Sequence, residues 1–229
     1  MKKKIVVLTG AGMSADSGLK TFRDADGLWE GHDVMSVASP EGFANNPDLV
    51  LDFYNQRRRQ LLKTRPNAGH VALSRLETGY EVSIITQNVD DLHERAGSST
   101  VVHLHGELLK ARSTGDPTCV LNWRGDLNLG DTCAQGHQLR PHIVWFGEEV
   151  PLLQKAVELT AAADILLIIG TSMQVYPAAG LVHYARGHIP VYFIDPKPAI
   201  AAGAYPNLKI IAEKAARGVP PLVENLLAN

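Results

Sequence analysis

A histidine at the end of one apolar run and a polar cluster at the end of another carry the chemistry of this chain. His105 closes Val101-Val102-His103-Leu104-His105 and is followed by Gly106. An imidazole placed there suits a general base near neutral pH. Alternation puts His103 on the same strand face one step deeper, a place for a hydrogen-bonded structural histidine. The run Glu81–Thr86 opens into Gln87-Asn88-Val89-Asp90-Asp91. At a strand's carboxyl end these side chains can bond an amide and sugar hydroxyls. The same residues also suit a helix N-terminus, with Asn88 as cap and Asp90 and Asp91 favoured by the dipole.

A third signal lies at residues 5–24. Ile5-Val6-Val7-Leu8 leads into Thr9-Gly10-Ala11-Gly12-Met13-Ser14-Ala15. Gly10 and Gly12 let the backbone approach a pyrophosphate, and the N–H groups beyond favour an anion. The third glycine, Gly18, comes too late for the fingerprint of hydride-transferring dehydrogenases. Thr21-Phe22-Arg23-Asp24 follows, where a helix would normally settle on a sheet. The cradle therefore suits a dinucleotide presented for other chemistry. Gly170-Thr171-Ser172 after Ile165–Ile169, and Asp195 after Val191–Ile194, add ribose- or phosphate-binding types at two further strand ends.

Strands are expected at Lys4–Thr9, Glu81–Thr86, Val101–Leu104, Ile165–Ile169, Val191–Ile194 and Lys209–Ile211. Several are continuously apolar and β-branched, as in strands covered on both faces. Helical patterns fall at Asn67–Leu76, Leu152–Ala163, Ala178–Arg186 and Pro220–Leu227, which predicts a doubly wound α/β sheet. Residues 25–75, with a helix around Pro47–Leu62, and residues 110–140 break that rhythm. They read as insertions forming a smaller lobe, leaving a cleft at the sheet edge.

Composition bounds the alternatives. The 229 residues are 45% hydrophobic, with a formal net charge of −2. That supports a full core and disfavours nucleic acid or an anionic membrane as partner. The apolar run after Lys2-Lys3-Lys4 is too short for a signal peptide or a membrane span. Two cysteines make no disulfide framework, which fits a reducing cytoplasm, and the short termini lead to the expectation of a monomer.

Together these segments resemble the sirtuins, NAD-dependent protein lysine deacylases. The resemblance rests on Gly10-Ala11-Gly12-x-Ser14, Phe22-Arg23, Thr86-Gln87-Asn88-Val89-Asp90, His105-Gly106, Val144-Trp145-Phe146-Gly147-Glu148 and Gly170-Thr171-Ser172. It implies that 1–24, 76–109 and 141–229 form a Rossmann-like NAD-binding domain. The smaller domain would join the helical insertion to a degenerate zinc-ribbon-like loop at 110–140. The stretch from Gly10 to Trp29, including Ala15, Gly18 and Thr21, would hold NAD, with Phe22 and Arg23 over the nicotinamide ribose. Gln87, Asn88, Val89 and Asp90 would line the ribose and nicotinamide pocket, and His105 would accept a ribose proton. Thr171 and Ser172, with Asp195, Pro196, Lys197 and Ala215, would meet the adenosine half. Val144 to Gly147 would pair with an acyl-lysine protein substrate as an added strand. The implied products are nicotinamide, O-acyl-ADP-ribose and free lysine.

Tyr54 and Arg57 are three residues apart on the expected helix and share a face. Phenol and guanidinium together make a carboxylate receptor. Arg58 and Arg59 are expected on the solvated surface. Tyr54-x-x-Arg57 resembles the motif of class III sirtuins, which remove succinyl, malonyl and glutaryl groups, and Ala25 falls at that class's small residue. A desuccinylase or demalonylase with some deacetylase activity is therefore expected. A protein ADP-ribosyltransferase and a non-enzymatic NAD sensor are the competing readings.

Sirtuins usually hold a structural zinc with four cysteines. Here only Cys119 and Cys133 stand in the loop, with Ser113 and Thr114 where a first cysteine is expected. His137 adds a third candidate and a fourth is not apparent, so no metal is expected. Packing of Leu121, Trp123, Leu127 and Leu139 would hold the loop instead.

Overall fold

The computed structural model describes residues 2–20, 28–29, 31–199, 203 and 207–228. In chain order the strands are β1 Lys4–Thr9, β2 Leu28–Trp29, β3 His32–Asp33, β4 Glu81–Thr86, β5 Val101–His103, β6 Gly106–Ser113, β7 Val120–Asn122, β8 Leu139–Ile143, β9 Ile165–Ile169, β10 Val191–Ile194 and β11 Leu208–Ile211. The α-helices are α1 Gly12–Ala15, α2 Val34–Val37, α3 Pro40–Asn45, α4 Pro47–Lys63, α5 Ala68–Leu76, α6 Leu92–Arg95, α7 Leu153–Ala161 and α8 Ala215–Leu227.

Six strands form one parallel sheet in the order β11-β10-β9-β1-β4-β5. The direction of winding reverses beside β1, so a crevice opens past the ends of β1 and β9. Alternation sorts the core. Ile5 and Val7 pack with α5 and α8 on one face, while Val6 and Leu8 pack with α7 on the other. A three-stranded antiparallel sheet, β7-β6-β8, stands apart from this layer. The fold is α/β, with a Rossmann-like sheet and a small antiparallel module.

Helix α4 links the small module to the cleft. Asn46 caps it by accepting from Leu49 N–H at 3.1 Å, Pro47 opens it and Lys63 lies in its last turn. From its middle, Asn55 grips Leu127 with both ends of its amide. The side chain donates to the Leu127 carbonyl at 3.0 Å and accepts from its N–H at 2.8 Å.

Several expectations need correction. Residues 178–184 form a 3₁₀ helix rather than an α-helix, with no capping side chain and with Gly180 in its middle. Helix α8 starts five residues before Pro220, because burial of Ala215, Gly218 and Val219 outweighs the two prolines within it. Arg58 is fully buried, not solvated, whereas Arg59 is exposed and pairs with Asp126 at 2.8 Å. In the loop module Leu127 and Leu139 are buried with Trp123 against them, but Leu121 is 40% exposed. Cys119 and Cys133 join that apolar cluster instead.

Candidate active site

The ends of β1 and β9 meet closely. Gly10 N–H donates to Ile169 O at 3.0 Å and Gly12 N–H to Gly170 O at 2.8 Å. A Cβ on Gly12 would lie 2.7 Å from Gly170 Cα, and one on Gly10 2.8 Å from Gly170 O. Glycine is needed here first for contact between two protein loops, not only for a ligand's approach. Above this contact opens a cavity of about 340 Å³.

Ser14, on α1, is the hub of its polar wall. Its hydroxyl donates to Asp90 Oδ2 at 2.9 Å and accepts from Asn88 Nδ2 at 3.1 Å. Asp90 Oδ1 accepts from Leu92 N–H at 3.1 Å. Burial raises the Asp90 carboxyl above its ordinary range, with Ser14 and Leu92 acting against that. Asn88 does not cap α6; its amide serves Ser14, and α6 begins four residues later. Gln87 Nε2 donates to Thr171 Oγ1 at 3.2 Å, tying the end of β4 to the end of β9.

His105 lines the cavity and approaches the Gln87 carbonyl at 3.1 Å through Nδ1. A carbonyl only accepts, so Nδ1 carries the proton and Nε2 keeps its lone pair. Burial lowers the His105 pKa, with the Gln87 bond acting against it. His103 is structural: it meets Asn88 O at 3.1 Å and Glu94 at 2.6 Å. Behind Ser14, His70 and His93 pack ring to ring at 4.8 Å, both fully buried.

Tyr54, Arg57, Gln60 and Leu61 of α4 also line the cavity, at helical spacing. Tyr54 is fully buried, and its oxygen accepts from Trp145 Nε1 at 2.9 Å. The Arg57 guanidinium carbon lies 3.2 Å from the Phe53 ring centroid and 5.4 Å from that of Trp29. Val144, Trp145, Phe146 and Gly147 form the adjoining edge.

The cavity also gathers Gly10, Ala11, Gly12, Ser14, Trp29, Gln87, Asn88, Val89, Asp90, Gly170, Thr171 and Ser172. Ala15 and Gly18 are exposed and do not line it. Asp195 is fully buried and accepts from Lys197 N–H at 2.8 Å, so Asp195, Pro196 and Lys197 lie outside its lining. Ala215 also lies outside, packed against the helix start at Gly69. Thr21, Phe22, Arg23 and Ala25 fall outside the described residues. Sequence reasoning missed Gln60, Leu108, Val175, Tyr176 and Glu148 as cavity walls. Gln60 carried a signal in its place one turn beyond Arg57, and Glu148 in closing the motif that begins at Val144.

The loop module does not fit zinc. Cys119 and Cys133 pack into the apolar cluster of the loop, and the Ser113 hydroxyl accepts from Gly115 and Asp116 N–H at 3.2 Å. His137 is exposed, its ring against Gly115. Two thiols fall short of a tetrahedral set. Among the described residues no cluster of three or more metal-ligating side chains occurs, and none of their helices is long and apolar enough to cross a membrane.

Comparison with known proteins agrees with this architecture. Residues 10–177 match the Sir2 family. An NAD-dependent protein deacylase of Helicobacter pylori is 59% identical over 225 residues, covering 98% of each chain. A solved complex of a Sir2 homologue with NAD superposes with a TM-score of 0.87 at 36% identity, over 98% of this chain and 90% of that one. A Sir2 protein solved with a peptide and NAD gives 0.80 at 27% identity, over 100% and 95%. With the family matched across the cleft and relatives aligned over nearly the full length, this chain belongs to the Sir2 family.

Proposed function

We infer that this chain removes acyl groups ending in a carboxylate, succinyl and malonyl, from protein lysines. That it is an NAD-dependent protein deacylase follows from its family together with full-length relatives of that name; the acyl preference is our own reading.

Its support is the pairing of Tyr54 and Arg57 on one face of α4, both at the cavity wall. Trp145 Nε1–H can only donate, so the Tyr54 oxygen is the acceptor and its own proton remains to be given. Among the described residues no acceptor for that proton is found. Burial pushes the Tyr54 phenol far above its ordinary pKa, so it stays a donor. A neutral donor beside a guanidinium favours a carboxylate over a methyl group.

The cleft fits NAD: loop N–H groups lie where β1 meets α1, and amides and hydroxyls converge at the ends of β4 and β9. When bound, NAD supplies a nicotinamide–ribose bond whose breakage leaves an electrophilic sugar carbon. The chain's part is orientation and proton transfer. His105 offers the Nε2 lone pair to a hydroxyl proton. Ser14, Asn88 and Asp90 fix one another, so that wall needs no reorganisation when ligand arrives. The edge Val144 to Gly147 is suited to align an extended peptide beside the cavity.

The test is turnover of acetyl-, malonyl- and succinyl-lysine peptides with NAD, with products weighed by mass spectrometry. A higher kcat/KM for succinyl or malonyl than for acetyl is expected. Acetyl-lysine exceeding both would overturn the reading.

A further inference from the structure

The acyl-recognition pair on α4 does not stand alone. Trp145 is 2% exposed and held from several sides. Its backbone N–H donates to Glu148 Oε2 at 2.8 Å. The Arg140 guanidinium carbon sits 3.3 Å from the centroid of its ring, and Phe43 packs at 5.4 Å. Arg140 is itself fixed, donating to Glu148 at 2.7 and 3.0 Å and to Ile143 O at 2.9 Å. Arg112 donates to the same carboxylate at 2.8 and 2.9 Å. The indole cannot tip without breaking this set.

We propose that Trp145 is a positioning residue for acyl selectivity: its fixed indole N–H occupies a lone pair of the Tyr54 oxygen and turns the phenolic proton toward the carboxylate of the acyl chain. The inference rests on the proposed preference for acidic acyl groups. A hydroxyl that accepts one hydrogen bond becomes a better donor in the next, the more so in a buried site. Without the indole N–H, the hydroxyl could rotate and the acyl carboxylate would lose a fixed donor. Arg112 and Arg140 have a second effect. Glu148 also lines the cavity, and two guanidinium groups neutralise a charge that would otherwise repel the acyl carboxylate.

The experiment compares kcat/KM for succinyl-lysine and acetyl-lysine peptides in five proteins at saturating NAD: the unchanged chain, Trp145→Phe, Tyr54→Phe, the double variant and Arg57→Met. Phenylalanine keeps an aromatic ring but removes the N–H together with part of the indole. The Tyr54→Phe background, in which that loss of volume is the same, isolates the hydrogen bond. We expect Trp145→Phe to lower the succinyl-to-acetyl ratio about fivefold, through KM for the succinyl peptide. In the Tyr54→Phe background the same change should move the ratio by less than about twofold, because the partner is already gone. General damage to the fold would lower both activities and leave the ratio. A ratio unmoved by Trp145→Phe, while Arg57→Met collapses it, overturns the role of Trp145 alone. A ratio unmoved by Arg57→Met overturns the acyl reading and this inference with it. Should Trp145→Phe fail to fold, the indole N–H resonance of Trp145 in the unchanged chain decides. It should shift with succinyl-lysine peptide and not with acetyl-lysine peptide; no difference between the two overturns the proposal.

Discussion

Arg58 Nη1 lies 2.6 Å from Asn55 Oδ1, one turn back on α4, and both side chains are sealed from solvent. Arg58 also donates to the Leu108 carbonyl at 3.1 Å, and burial lowers its pKa to about 10, leaving it charged at neutral pH. Arg58→Met strips a donor from two buried acceptors and should cost about 1–3 kcal/mol in urea unfolding. Arg59→Met breaks only an exposed pair with Asp126 and should leave the urea midpoint nearly unmoved. Equal losses would refute the structural role given to Arg58.

The proton-accepting role proposed for His105 requires a neutral ring, and burial holds its pKa below the ordinary value of 6.5. Activity should therefore rise with pH through a point below 6.5 and be flat from there through neutrality. An inflection in kcat/KM above 6.5 would contradict a buried, neutral His105. His105→Tyr should lower turnover by roughly 10²–10⁴ on every acyl peptide.

Gly12→Ala forces a methyl group to within 2.7 Å of the Gly170 backbone, where no flexible side chain can give way. Separating the ends of β1 and β9 should cost about 1–3 kcal/mol and weaken NAD binding in calorimetry. Gly18→Ala serves as comparison: its Cβ meets nothing within 4 Å, and only the positive φ of 94° opposes it. Retained NAD affinity in Gly12→Ala would separate the two loops' contact from the cradle.

The buried histidines set an acid limit. Burial lowers the pKa of His70 to about 4 from 6.5, and that of His93 well below 6.5. Both are neutral in the folded chain, while the unfolded chain protonates them below 6.5. Their stabilisation is full above about pH 6.5 and is lost as pH falls toward 4, by about 3 kcal/mol for His70. His103 and Asp90, whose values are raised, act in the opposite direction. Urea unfolding at pH 7 and 5 should show a net loss, smaller in His93→Gln. A gain at pH 5 would show that His103 and Asp90 dominate.

Purified protein should carry far less than one zinc per chain by metal analysis, because two thiols fall short of a tetrahedral donor set and no group of three metal-ligating side chains occurs among the described residues. A stoichiometric metal would mean that the loop rearranges to recruit further ligands.

The strands β1, β4 and β9 were legible because their apolar, β-branched runs end abruptly in Gly, Thr and Gln, and α4 because Asn46-Pro47 marks its start. Three successive arginines show what sequence leaves out. At helical steps of about 100° per residue, Arg57 faces the cavity, Arg58 the core and Arg59 the solvent. Their shared type masks three environments that only packing assigns. The start of α8 was hidden for a related reason, since tertiary burial overrode Pro220 and Pro221. The support for Trp145 was invisible too: Arg112, Arg140 and Glu148 are distant from Tyr54 in sequence and meet only once the small sheet closes on α4.

The double grip of Asn55 on Leu127 gives α4 a second allegiance. One face of the helix walls the cavity, while another is stitched to the β7-β6-β8 module. Turning the helix to admit a bulkier guest would tear both stitches. The chamber's dimensions are thereby inherited from a part of the molecule that no guest touches, and adaptation to larger cargo must come from the facing walls.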